Sequence, residues 1–146
     1  MRALIERAPK EPEMIRLVML LPLLFAACSE SGPEMAPGEN CMTCHTGHER
    51  AFTIAGTMFS KLDDPTTAGV EGVQIKITDG ANKIINLTSN AVGNFYYSQP
   101  VTYPLAVEVT RNGKTTRMMQ AVPTGACSSC HNQPPTSNAP GRNYAP

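Results

Sequence analysis

The stretch Leu105-Ala106-Val107-Glu108-Val109-Thr110-Arg111-Asn112-Gly113-Lys114-Thr115-Thr116-Arg117-Met118-Met119-Gln120 decides the fold class. Leu105, Val107 and Val109 alternate with polar neighbours, so an extended chain puts all three on one face. Asn112-Gly113 follows at the point where the chain must reverse. Both residues tolerate positive φ, which a two-residue type I′ turn demands. Residues 115–120 can then return as the second arm of an antiparallel hairpin.

The same pattern recurs on the N-terminal side. Residues 73–78 (VQIKIT) place Val73, Ile75 and Ile77 on one face, and Asp79-Gly80 is a turn signal. Residues 84–88 (IINLT) and 94–98 (NFYYS) read as strands divided by a turn over 89–93. Residues 51–59 (AFTIAGTMF) are a further strand, followed by a loop over 60–72. About six short strands with hairpin connections and no helical period predict an antiparallel β-sandwich. The pieces Ile54-Ala55-Gly56-Thr57, Gly69-Val70-Glu71-Gly72-Val73-Gln74-Ile75 and Thr88-Ser89-Asn90-Ala91-Val92-Gly93-Asn94-Phe95-Tyr96 resemble the transthyretin-like, or carboxypeptidase regulatory-like, domain. That resemblance covers about a third of the chain. It implies a fold and carries no catalytic residues.

Chemistry is concentrated in the cysteines. Apart from Cys28, they form two pairs, Cys41-Met42-Thr43-Cys44-His45 and Cys127-Ser128-Ser129-Cys130-His131. Both are C-x-x-C-H, the attachment pattern of haem c. The two thiols stand about one helical turn apart and can reach the two vinyl groups of one haem edge. The following imidazole then lies under the ring as proximal iron ligand. Two covalent haems are therefore expected, on Cys41 and Cys44 with His45, and on Cys127 and Cys130 with His131.

Other uses of four cysteines fit less well. A shared structural zinc site would have to close an 82-residue gap between Cys44 and Cys127, and it leaves the His after each pair without a role. Two C-x-x-C disulfides suit an oxidising compartment, but so small a loop favours redox use. Thioredoxin-like chemistry needs a βαβ context that is absent here.

Sixth ligands are scarce, because the chain has three His in all. His48, three residues after His45, lies on the same side of a helical turn. It therefore suits another haem better than its own. The arrangement resembles the C-x-x-C-H-x-x-H of multihaem cytochromes, which implies that role; the alternative is a surface His near a propionate. Met118, Met119 and Met58 are the remaining candidates. Adjacent strand residues point to opposite faces, so only one of Met118 and Met119 can face a given haem. Each Met has the alternative of filling the core. Arg142, in a Pro- and Asn-rich tail over 132–146 expected to wrap the second haem, suits a haem propionate.

The N-terminus reads as an export signal over 1–27. Its apolar run, residues 17–27, is too short to span a bilayer. Met14 makes a tidier start than Met1. Leu24-Phe25-Ala26-Ala27-Cys28 resembles a bacterial lipobox, which implies lipidation of Cys28. Residues 28–40, polar and rich in Gly and Pro, read as a flexible tether, and 41–146 as the folded domain.

The expected fold is thus mainly β: a small antiparallel β-sandwich with haem-binding loop or short-helix segments at both termini. The whole resembles small exported dihaem c-type cytochromes, which implies electron transfer and no enzymatic activity. The expected location is the periplasm or the outer membrane. The expected partners are other cytochromes or redox proteins, the membrane through a lipid anchor, and further copies meeting haem to haem. From Cys28 onward eight Lys/Arg face nine Asp/Glu, so no basic field exists to hold nucleic acid. A haem-based enzyme or a gas or peroxide sensor, with one open iron, is the alternative that the shortage of His keeps in play. Whether the haems lie side by side or at opposite poles depends on where the two ends of the sandwich emerge, which the pattern leaves open.

Overall fold

A computed structural model describes residues 32–47 and 50–145. The expected mainly-β architecture is found. The strands are β1 (Ile54–Thr57), β2 (Gln74–Thr78), β3 (Ile84–Thr88), β4 (Asn94–Tyr97), β5 (Ala106–Arg111) and β6 (Lys114–Arg117). They form two antiparallel sheets, one of order β1-β4 and one of order β3-β2-β5-β6. The only α-helix among the described residues, α1 (Cys127–Cys130), is a single turn, and Cys41–Thr43 forms a 3-10 turn. None of the described helices is long and apolar enough to cross a membrane.

The hairpin reading holds in detail. Asn112 and Gly113 take φ of 51° and 77°, as a type I′ turn requires, and Arg111 pairs with Lys114 across them. The β2–β3 connection is longer than the Asp79-Gly80 signal predicts. It runs from Asp79 to Lys83, and the Asp79 carboxylate gathers the backbone N–H groups of Ala81, Lys83 and Thr102. The last strand stops at Arg117, short of the expected Gln120, although Met118 N–H still donates to Val107 O.

The core lies between the two sheets. Ile54 and Phe95 come from the small sheet. Ile75, Ile77 and Ile85 come from the large one, with Val73 and Leu105 at its margins. Each such side chain contributes about 1.5–3 kcal/mol when fully removed from water. All four residues of β1 are buried, unlike those of any other strand. Ile54 belongs to the core, Gly56 packs against Cys127 and Phe95, and the free edge of β1 is met by Gly125 through the backbone of Ala55.

Both flanks of the domain are stitched down. Residues 32–40, expected as free tether, are held by the sandwich: Asn94 Nδ2 donates to Met35 O at 2.9 Å, and Gly38 N–H to Thr57 Oγ1 at 2.8 Å. At the other end Phe59 N–H donates to Asn143 O, and Ala145 N–H to Phe59 O. The tail thus runs beside the continuation of β1. The export signal and Cys28 lie outside the described residues.

Candidate functional site

The two motifs have different residues between their cysteines, and one is a 3-10 turn and the other an α-helical turn, yet both close the same backbone hydrogen bond. His45 N–H donates to Cys41 O at 2.9 Å, and His131 N–H donates to Cys127 O at 3.0 Å. This i→i−4 bond places each histidine one helical turn beyond the first cysteine of its pair. The N-terminal turn is capped by Asn40, whose side chain accepts from Met42 N–H. The C-terminal turn uses Ser129, whose hydroxyl donates to Ala126 O at 2.6 Å.

Each histidine is then fixed by a second bond from farther along the chain. His45 Nδ1 lies 2.9 Å from Arg50 O, and His131 Nδ1 lies 2.8 Å from Gly141 O. A carbonyl oxygen can only accept, so Nδ1 carries a hydrogen in both rings, and in the neutral form of each ring the lone pair sits on Nε2. Both rings are half-buried. His45 is oriented further by stacking on Phe52, with ring centroids 4.1 Å apart and planes 15° apart. Phe52 stacks in turn on Tyr96 at 4.6 Å. A histidine whose Nδ1–H is held by a carbonyl, with Nε2 free, is the usual state of an imidazole that binds a metal.

The cysteines are less uniform. Cys41, Cys127 and Cys130 carry free thiols, whereas Cys44 is disulfide-bonded. Burial pushes the Cys41 thiol up. Burial, and secondarily the neighbouring Cys41, pushes Cys127 up to about 12. Both are protonated at neutral pH and poor nucleophiles in the folded chain. Cys127 packs against the core, and its Cβ occupies the space that a side chain at position 56 would need. Gly56 is therefore the residue that lets α1 dock on β1. Ser128, 4 % exposed, has a buried hydroxyl with no hydrogen-bond partner.

Among the described residues no three or more His, Cys, Asp or Glu gather closely enough to share a metal ion.

The sixth-ligand candidates are placed apart. Met58 is 1 % exposed and belongs to the hydrophobic core, which is the gap-filling use of a methionine. Met119 is 99 % exposed, and Met118 is half-buried at the end of β6. His48 lies outside the described residues. Arg142, expected at a propionate, is buried. Its guanidinium carbon sits 4.7 Å from the centre of the Phe59 ring, and its Nε–H donates to Asp64 O. Part of its charge is thereby met by an aromatic face.

Sequence reasoning missed the supporting residues, namely Gly56, Phe52, Tyr96, Arg50 and Gly141. Gly56 was visible as a glycine interrupting an apolar strand, a sign of close backbone approach. The others act by contacts that no local pattern encodes. No protein-family model, curated protein or solved structure matches this chain.

Proposed function

We propose that this chain is an exported electron carrier with two covalently attached haems and no enzymatic activity of its own. Cys41, Cys44 and His45 would hold one haem, and Cys127, Cys130 and His131 the other. The observation that carries this reading is the shared state of the two histidines. Each is one turn beyond its first cysteine, with Nδ1–H given to a backbone carbonyl and Nε2 left as a donor for iron. Two unrelated dipeptides between the cysteines reach the same His N–H to Cys O bond, which argues for a common task. Bound iron supplies a one-electron couple whose potential follows axial ligation and exposure. The protein supplies the ring orientation and the covalent anchors. Cys44 can serve a thioether or a disulfide but not both, so attachment at the first motif requires its reduction.

A second reading, a haem enzyme or gas sensor, is favoured by the placement of the methionines. Met58 is committed to the core and Met119 to solvent, so one iron can be left with an open position.

One experiment separates these. The full chain is matured in a host that attaches haem c, then weighed and recorded oxidised, reduced, and reduced under carbon monoxide. A mass increase of two haems with sharp low-spin bands unmoved by carbon monoxide is the expected result. Bands shifted by carbon monoxide transfer weight to the second reading. A chain that matures without haem refutes both.

A further inference from the structure

We propose that the two haem-attachment motifs form one close pair on β1, so that their haems lie side by side and exchange electrons within a single molecule. This deepens the reading given under Proposed function and rests on it.

Five consecutive residues, from Phe52 to Gly56, hold both motifs. The Phe52 ring stacks on His45, and Phe52 N–H donates to His45 O at 3.1 Å. The carbonyl of Thr53, the next residue, lies directly against Gly125, where even a Cβ would be 2.0 Å from its oxygen. Ala55 N–H donates to Gly125 O at 2.9 Å, and Ala55 and Ala126 form a parallel bridge. Gly56 makes room for the Cβ of Cys127. Four residue steps of extended chain span at most about 14 Å. The points at which the two motifs rest on this stretch are therefore within about 14 Å of each other. An arrangement with one haem at each pole would require the anchors to leave opposite ends of a strand.

The cysteines are consistent with this placement. Cys41 lies within electrostatic reach of Cys127, close enough that a charge on the first opposes ionisation of the second. The 82-residue excursion between the motifs thus returns to its starting point, and the sandwich acts as a clasp. In the exchange, one iron is oxidised by one electron and its neighbour is reduced by one, with no proton or co-reactant needed. Charge on one iron would also alter the potential of the other, so the second electron would enter at a lower potential than the first.

The test is Soret-region circular dichroism and EPR of the two-haem protein against two single-haem variants, Cys41→Ser/Cys44→Ser and Cys127→Ser/Cys130→Ser. The expected result is that the two-haem protein differs from the sum of the variants, by a bisignate Soret couplet or by dipolar broadening of the oxidised EPR signals. Additive spectra by both methods overturn the pairing while leaving the two-haem reading intact. A chain without haem bands removes both. Should a variant fail to fold, the intact protein is measured alone by Soret-region circular dichroism and by EPR of the fully oxidised state. A bisignate Soret couplet or dipolar broadening supports the pairing, and the absence of both overturns it.

Discussion

His131 Nδ1 lies 2.8 Å from the carbonyl oxygen of Gly141, ten residues downstream. This bond ties the C-terminal tail to the second motif and sets which ring nitrogen is free. We predict that His131→Ala removes normal ligation from one haem and leaves the other unchanged. The optical spectrum should show one low-spin haem retained and one converted to high spin. Two unaltered low-spin haems would exclude His131 as a ligand.

Gly56 governs the docking of α1. A Cβ there would come 2.9 Å from both Cys127 Cβ and the Phe95 ring. Gly56→Ala should therefore destabilise the fold by about 1–3 kcal/mol, the range of overpacking in a tight site. Thermal unfolding checks the size, and a variant as stable as the parent would show that α1 moves freely on β1.

Met58 separates a structural methionine from a ligand. Its 1 % exposure within the core predicts a loss of about 2–5 kcal/mol in Met58→Ala, as for other large-to-alanine core changes. The visible spectrum of the haem-loaded variant should stay the same. A spectral change without loss of stability would make Met58 a ligand.

Asp79 gives the domain a specific acid sensitivity. The backbone N–H of Thr102 is the main cause of its lowered pKa, and those of Lys83 and Ala81 lower it further. Because the folded pKa lies below the unfolded value of about 3.9, the ionised carboxylate stabilises the fold fully above that value. The contribution is lost as pH falls through the folded pKa. Asp79→Ala should lower the melting temperature at neutral pH and flatten its fall below about pH 4. An unchanged acid profile would mean that the Asp79 carboxylate does not contribute.

How much was legible in advance depended on the range of the interaction. Val73, Ile75 and Ile77 alternate over six residues, and Asn112-Gly113 imposes its turn through two φ angles. Both are local, so the strands and the tight hairpin followed from the amino acids themselves. The same holds for the two C-x-x-C-H turns, which close by hydrogen bonds spanning four residues.

Other features needed the folded chain. The division into sheets of two and four strands joins β1 to β4, with Thr57 opposite Asn94. The burial of Arg142 rests on Phe59 and Asp64, and the convergence of the motifs rests on Ala55 meeting Gly125. These contacts join residues far apart in the chain, and packing of the core selects them rather than any local preference. Sequence by itself determined that this protein is a small β domain with two C-x-x-C-H turns. Only the tertiary structure decided that both turns rest on β1, because a short buried strand with glycine at position 56 is where two chain ends can approach closely enough to share one support.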